Sequence, residues 1–443
     1  MVSRLATILT ILFALLPRPS AAQETLTLDQ AVSAALTNNA MMRAAKAGER
    51  EAAAHVEEAR AAYLPRVDYV ESWQRGNDPV YVFGSLLTEQ RFTAANFDLN
   101  ALNRPDPLTN HQGMFTVQQP VFDSSRLAGI RSAGLGRDIA QQMTAEARGD
   151  LSLGVTRVYG MVLQAIAGRQ AADAAVNAAN DDLSRTEQRR DAGFVTEADV
   201  LSLKVFLAQM QERQIRAASG ESIARAQLNQ MMGAPLDKQF ALVEPPPPSA
   251  AAVPAAPAAD DEASALKDRP AVHRADSQLA LADTARTAAK AAFLPQVSVQ
   301  GMYELNGNTF GDRASAWMVS GQVRINLFAG GGDRARLKAA TAAEARAKAE
   351  RDNVLTSVRL EVRTARAEYD AALAREAVGR AAVLQARESQ RIIRDRYESG
   401  LAGVTDVLRA ATSLLDAETL RIASIVDVMV GRAALDKAVG RLQ

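Results

Sequence analysis

Residues 296–305 read QVSVQGMYEL and residues 317–327 read WMVSGQVRINL. In both stretches, apolar or small residues alternate with mostly polar ones. Side chains of a β-strand point to opposite faces with a period of two, so each stretch predicts a strand with one apolar and one polar face. Each is about ten residues long, the length that a tilted strand needs to cross a bilayer.

Alternation by itself leaves two architectures open, because a soluble β-sandwich also buries one face of a sheet and wets the other. The flanking sequence is rich in alanine and nearly free of proline, and it contains no further run of strands to supply a second sheet. The pattern therefore favours a membrane hairpin, although alternation is a weak signal when taken alone.

The N-terminus has the features of a secretory signal peptide. Arg4 precedes an apolar run over residues 5–16, and residues 20–22 are small, as at a cleavage site. The apolar run is too short for a spanning helix. We predict that residues 1–22 are removed and the chain is exported; a retained anchor is the alternative.

Composition excludes several classes of function. The chain has 51 Lys and Arg against 51 Asp and Glu, so it lacks the basic character of a nucleic-acid partner. It has no cysteine, which excludes disulfides, thiolate metal sites and an N-terminal lipidated cysteine. After residue 22 no 18 consecutive apolar residues occur. We therefore predict no transmembrane helix, which leaves a periplasmic, secreted or barrel-forming protein.

No residues form a recognisable catalytic or cofactor site. The histidines, His55, His111 and His273, have no second histidine at helical spacing, and the glycines at 330–332 lack the following Lys and Ser or Thr of a phosphate-binding loop. We predict no enzyme activity, no cofactor and no metal site.

Two long proline-free spans, between Pro120 and Pro235 and after Pro295, predict very long helices. A helix over 124–190 would extend about 100 Å at 1.5 Å per residue. Each span carries apolar residues with the four-three-four spacing of a coiled-coil seam. These residues are Leu151, Val155, Val158 and Val162, and Val358, Val362, Ala365 and Tyr369.

Short signatures recur in the same order in two halves of the chain. AAYLP at 61–65 returns as AAFLP at 291–295, an offset of 230, and GFVTEADVL at 193–201 returns as GLAGVTDVL at 400–408, an offset of 207. Chance similarity of alanine-rich helices is the alternative, but it does not explain the shared order. The difference (230 − 207) places 23 extra residues between the first two strands. We predict an ordered external loop there, since outer-membrane barrels keep long loops outside.

The predicted fold is mainly α with a small β part and an internal duplication, in which each half contains a helix, a strand, a loop, a strand, a long helix, a tight turn and a return helix. The first repeat covers residues 23–243, a Pro- and Ala-rich linker 244–263, and the second repeat 264–443. The predicted elements are strands about 66–75, 113–122, 296–305 and 316–328, the external loop about 77–112, long antiparallel helices about 124–190 and 333–398, and return helices about 196–232 and 404–440.

The two turns between long and return helices are the candidate functional sites. Thr196 and Asp199 have the spacing of a capping pair, and a glycine precedes Asp406 by the same three residues. Capping is the structural role of both aspartates. If the helices assemble into a tube, its end carries Asp199 and Asp406 as carboxylate rings, which favour cations.

These signatures resemble those of the TolC family of outer-membrane efflux proteins over residues 24–443. The resemblance rests on LTLDQA at 26–31, Leu-Pro at 64–65 and 294–295, ALKDRP at 265–270 and RYESGLAGVTDVL at 396–408. It implies a homotrimer in the outer membrane lipid, in which each chain gives four strands to one twelve-stranded barrel. It also implies a periplasmic helical tunnel, closed at its tip, that docks with a periplasmic adaptor protein and an inner-membrane pump.

The resemblance also assigns roles to residues of the turns. Tyr397 and Asp406 are expected at the tip gate, and some members have a second acidic residue where this chain has Arg409, which leaves the cation preference open. Adaptor hairpins are expected to bind near both turns. The docking residues are predicted to be Gly193, Thr196, Val200, Leu201, Gly400, Val407 and Leu408.

We predict an outer-membrane exit duct that passively conducts substrates from an adaptor and pump of a tripartite efflux or type I secretion system. A periplasmic coiled-coil scaffold without channel activity is the alternative from another class. A periplasmic hydrolase is disfavoured because no candidate catalytic site was found.

Overall fold

The computed structural model describes residues 24–244 and 258–442. The predicted signal peptide and residues 245–257 of the predicted linker lie outside the described residues. The chain divides into two compact units, one mainly helical and one that contains a four-stranded sheet. The prediction of a mainly helical chain with a small β part is confirmed.

The helices and strands are numbered in chain order. They are β1 (Thr25–Leu26), α1 (Leu28–Asn38), α2 (Ala40–Ala61), β2 (Arg66–Gly76), α3 (Pro79–Thr88), α4 (Leu99–Asn103), β3 (Leu108–Phe122), α5 (Ser124–Asp191), α6 (Glu197–Met232), β4 (Ala241–Leu242), α7 (Ala258–Asp268), α8 (Pro270–Ala291), β5 (Gln296–Thr309), β6 (Asp312–Arg324), α9 (Gly332–Glu398) and α10 (Val404–Val439).

The helical unit comprises the described residues of Met1–Ala47, Met143–Val272 and Val354–Gln443. The return helices α6 and α10 both end at a left-handed glycine, Gly233 at φ +70° and Gly440 at φ +88°. Glycine takes this conformation without the steric cost that a Cβ would add, so both helices end sharply.

Three apolar clusters form the core of the helical unit, and two of them contain the predicted seams. The predicted seam of α5 lies in the first, where Val155 and Val162 are fully buried, and the seam of α9 lies in the second with Val362. Within the first cluster the Tyr159 hydroxyl donates to the carbonyl of Leu26 at 2.9 Å and of Val243 at 2.7 Å. These bonds satisfy a buried hydroxyl and tie α5 to the short parallel pair β1–β4.

Two details of the helical unit differ from the sequence-based expectation. Helix α7 begins at Ala258, so residues 258–263 of the predicted linker are helical. The acidic residues of its first turn favour a helix N-terminus, and Asp261 also pairs with Arg366 at 2.7 Å and Arg441 at 3.0 Å. By composition, α5 contains one window apolar enough to cross a membrane, but 44% of that window is buried within the protein.

The other unit comprises Gly48–Gln142 and His273–Asn353 and contains one antiparallel sheet in the order β2-β3-β5-β6. Tyr69, Phe115, Tyr303 and Trp317 pair directly across the four strands and form one aromatic row. The row lies on the apolar face, and Trp317 is 76% exposed. The apolar face of the sheet is therefore solvent-accessible in the single chain.

The strand bounds differ from those predicted. β3 begins five residues before position 113, and β6 covers Asp312–Arg324 and so ends four residues before position 328. The pairing of β3 with β5 shifts between Pro120 and Phe122, because proline cannot donate a ladder hydrogen bond. After β6, Gly330 and Gly331 take φ of +59° and +81° before α9 begins.

Residues 77–107, which join β2 and β3 and were predicted as an ordered external loop, contain short helices that the prediction did not include. Asp78 caps α3 by accepting from the Tyr81 N–H at 3.0 Å, and Pro79 occupies the first helical position, where its missing N–H costs nothing. A 3-10 turn at Ala94–Phe97 and helix α4 follow. The pattern was missed because these helices are short and rich in aromatic residues, with no clear single period.

Candidate functional site

The turn between α5 and α6 has a Schellman geometry. Gly193 has a φ of +81°, and its N–H donates to the Arg190 carbonyl at 2.8 Å. The N–H of Phe194 donates to the Arg189 carbonyl at 2.9 Å. These two bonds satisfy carbonyls that the end of a helix would otherwise leave unpaired.

The turn between α9 and α10 repeats this geometry. Gly400 has a φ of +75° and donates to the Tyr397 carbonyl at 3.0 Å, and Leu401 donates to the Arg396 carbonyl at 2.8 Å. No atom lies within 4 Å of a Cβ built on Gly400, so the backbone conformation, and not crowding, requires glycine there.

The two return helices are capped to different degrees. At the start of α6 the Asp199 carboxylate accepts from the Thr196 N–H at 2.9 Å, and the Thr196 hydroxyl accepts from the Asp199 N–H at 3.3 Å. At α10 the Asp406 carboxylate accepts from the Gly403 N–H at 3.2 Å. Since glycine has no side chain, the second turn has only one half of the capping box.

Arg409 lies next to the aspartate of the second turn. Its Nη1 is 4.0 Å from Asp406 Oδ1, and 76% of its side chain is exposed. An exposed pair of this kind contributes at most about 1 kcal/mol to stability. It nevertheless places a positive charge beside one of the two predicted gate carboxylates.

The predicted docking residues divide into buried and exposed ones. Val200 and Val407 are 0% and 3% exposed, so they pack inside the protein and support the turns, whereas Leu201 is 54% exposed. Phe194 and Leu401 are the most exposed apolar residues of the turns, at 75% and 70%. Neither residue was among the predicted docking residues; the signal in the sequence is an apolar residue directly after each helix-ending glycine.

Tyr397 joins the C-terminal end of α9 to α5. Its hydroxyl lies 3.0 Å from the Thr186 Oγ1, and Thr186 is fully buried. Arg189 donates to the Tyr397 carbonyl at 2.8 Å and to the Glu398 carbonyl at 3.4 Å, and its guanidinium lies 4.9 Å from the centre of the Tyr397 ring. A side chain of α5 thus caps the C-terminus of α9.

A second contact between α5 and α9 lies about one turn away. Asp182 accepts from Arg394 of α9 at 3.3 Å and from Arg185 of its own helix at 2.8 Å. The hydrogen bond to Asp182 raises the pKa of the Arg185 guanidinium. Together with Thr186, Arg189 and Tyr397, these residues form what we call the hairpin clamp. Of these residues only Tyr397 was predicted, because the contacting residues of the two helices are about 210 positions apart in the sequence.

Among residues 24–244 and 258–442, no group of three His, Cys, Asp or Glu side chains could hold a metal ion. The polar contacts of the turns and of the hairpin clamp bind helices to each other. What this arrangement can do is hold two helical hairpins together or release them.

Comparison with known proteins identifies the family. The chain matches the family model described as "Outer membrane efflux protein" over residues 31–234 and 263–441. It is 27% identical to Protein CyaE of Bordetella pertussis over 434 residues, which covers 96% of this chain and 86% of that protein.

The fold is similar to those of solved membrane proteins. A membrane protein from Pseudomonas aeruginosa superposes with a TM-score of 0.80 at 21% identity, covering 93% of each chain. The Campylobacter jejuni CmeC outer membrane channel superposes with a TM-score of 0.78 at 18% identity, covering 93% of this chain and 85% of that one.

Proposed function

The chain belongs to the outer membrane efflux protein family, and we propose that three copies of it assemble into the conducting channel. It is an outer-membrane exit duct of a tripartite efflux or type I secretion system and has a large periplasmic part. The family's proteins are channels and not enzymes. We assign no reaction to it; conduction is passive, and the adaptor and the inner-membrane pump deliver the substrate.

The open sheet is the observation that carries the proposal. β2 and β6 form its two edges, with 11 and 13 residues, and within residues 24–244 and 258–442 the sheet has four strands. Unpaired edge groups in lipid cost several kcal/mol each, so a spanning sheet has to close. Three chains supply twelve strands, and the exposed row containing Trp317 then faces the lipid.

An internal duplication accounts for how one chain builds this arrangement. In each half two helices precede a strand pair, and a long helix and a return helix follow it. Gly193 and Gly400 end the two long helices with nearly the same φ. This repeated order supports two repeats with the proposed bounds 23–243 and 264–443, with the linker between them shortened by the helical residues 258–263.

The hairpin clamp is the proposed latch of the closed tip. Tyr397 and Arg189 hold α9 against α5 through contacts that exist only while the two helices are side by side. Release of α9 would break all of them together. Asp199 and Asp406, repeated by threefold symmetry, would line the opening, and Arg409 would weaken the attraction of Asp406 for cations.

The exposed ends of the turns are the proposed adaptor contact. Phe194, Leu201 and Leu401 present apolar surface beside the two turn glycines. A helical hairpin of a periplasmic adaptor can cover such residues, with Thr196 and Leu408 at the rim. Val200 and Val407 would act indirectly, by holding the turns in shape.

Extraction from outer membranes tests the proposal. We expect the mature chain in the outer-membrane fraction as a trimer that dissociates only on heating, and conductance when it is added to a planar bilayer. A soluble periplasmic monomer without conductance would instead support the coiled-coil scaffold and overturn the channel.

A further inference from the structure

The segment between β2 and β3 is fixed on the sheet. Helix α3 packs against β3, β5 and β6. The Tyr81 hydroxyl donates to the Gln74 carbonyl at 3.0 Å, and the Gln90 amide donates to the Ser315 carbonyl at 3.4 Å. The segment between β2 and β3 is thus hydrogen-bonded to β6 of the second hairpin as well as to β2 of its own hairpin.

The segment also has its own small core. The rings of Phe83, Phe92 and Phe97 stack edge to face, with centroids 4.8 and 5.2 Å apart. Glu89, whose side chain is fully buried, pairs with Arg91 at 2.7 Å. Stacked rings and a buried ion pair give this connection a defined structure.

Helix α3 lies on the polar face of the sheet. Asn110 and Asn306 belong to that face and are 6% and 1% exposed, and the Asn110 amide donates to the Asn306 carbonyl oxygen at 3.0 Å. Leu108, on the same face, lines a cavity together with residues of α3. The polar face of a membrane barrel lines the lumen, so α3 lies on the lumen side.

The free side of α3 is apolar. Val82 and Ser85 face the protein and are both 6% exposed. Val80 and Leu87, on the opposite side of the helix, are 81% and 50% exposed. Gly84 lies between them on that side, and nothing lies within 4 Å of a Cβ built on it. An apolar helix face with a central glycine suits close packing against another helix.

The size of a twelve-stranded barrel indicates that the partner of α3 is the α3 helix of a neighbouring copy of the chain. Strands about 4.8 Å apart and tilted by about 40° give a circumference of about 75 Å and a radius of about 12 Å. Three helices, each about 10 Å wide, fill a circle of about 11 Å radius when they touch. Three copies of α3 inside one barrel mouth therefore have to meet.

We infer that the three α3 helices of a trimer pack on each other through Val80, Gly84 and Leu87 and narrow the external mouth of the channel. This inference rests on the proposed trimeric channel. It adds a second constriction of the channel, besides the closed periplasmic tip. A wide substrate passes this constriction only when α3 moves away from the channel axis.

Cysteine cross-linking tests the inference directly, since the chain has no cysteine of its own. Val80→Cys and Leu87→Cys are made singly in the full chain, and trimers in outer membranes are treated with an oxidant or a short bis-maleimide. We expect covalent dimers on denaturing electrophoresis for both variants. Trp317→Cys, at a side chain 76% exposed but on the opposite face of the sheet, is the control and should run as a monomer on the same gel.

The outcomes separate the inference from the proposed function. Intact trimers in which neither variant cross-links overturn the inference and leave the channel standing, whereas absence of a trimer overturns the channel itself. A Val80→Asp, Leu87→Asp double variant is then measured in a Tyr397→Phe background. In channels whose tip is recorded as open, repulsion between its carboxylates should raise the conductance about twofold; unchanged conductance of such open channels also overturns the narrowing.

Discussion

Replacement of Tyr397 by phenylalanine removes one oxygen atom from the hairpin clamp. The lost hydroxyl lies 3.0 Å from the Oγ1 of the fully buried Thr186. A hydrogen bond of this kind contributes about 1 to 1.5 kcal/mol net. If three copies open together, the closed state loses about 3 to 4.5 kcal/mol, and the ratio of closed to open channels falls roughly 10²- to 10³-fold.

Single-channel recording of purified trimers in a planar bilayer measures this ratio. We expect Tyr397→Phe to raise the open fraction strongly without changing trimer assembly. Tyr159→Phe is the matched control, because it also removes one tyrosine hydroxyl. That hydroxyl donates to the carbonyls of Leu26 and Val243 in the core and lies outside the hairpin clamp. Tyr159→Phe should lower the melting temperature and leave the open fraction unchanged.

One outcome would contradict the role assigned to Tyr397. If Tyr397→Phe trimers show the open fraction and conductance of the unmodified protein, while Tyr159→Phe behaves as expected, the contact with Thr186 does not hold the tip closed. The clamp would then be a structural contact only.

Three further predictions concern the turns. Gly400→Ala forces a Cβ into a left-handed conformation and should cost about 1 to 2 kcal/mol in a denaturation experiment, whereas Gly403→Ser, at an N-cap with φ −87°, should cost nothing. Asp406→Ala should reduce cation selectivity in reversal-potential measurements, and Arg409→Ala should increase it; unaltered selectivity in both would remove these residues from the gate. Phe194→Asp, at a side chain 75% exposed, should abolish capture of the partner adaptor in a pull-down while the trimer's melting temperature stays the same.

Much of the helical unit follows from local sequence. The four-three-four spacing that contains Val155 and Val362 predicted two seams, and both residues are buried. The capping pair of Thr196 and Asp199 was also predicted, since a three-residue spacing specifies it. These features depend on neighbours within a turn or two of the helix, which a sequence displays directly.

Features that depend on distant partners were not predictable in this way. The clamp joins Thr186 to Tyr397 across 211 residues, and no local pattern marks a threonine as the partner of a distant tyrosine. Helix α3 was missed because its apolar residues occupy two opposite faces, as Val82 and Val80 illustrate. A helix that is apolar on both sides has no clear amphipathic period.

The pairing of β3 with β5 has a consequence for biogenesis. The two strands meet across 196 residues of chain, most of them helical. During export the first hairpin emerges long before β5 does. The edge of β3 that later pairs with β5 therefore stays unpaired and can bind other chains. Contacts of such long range form slowly and leave intermediates prone to aggregation. The newly exported polypeptide should therefore depend on periplasmic chaperones until its second half arrives.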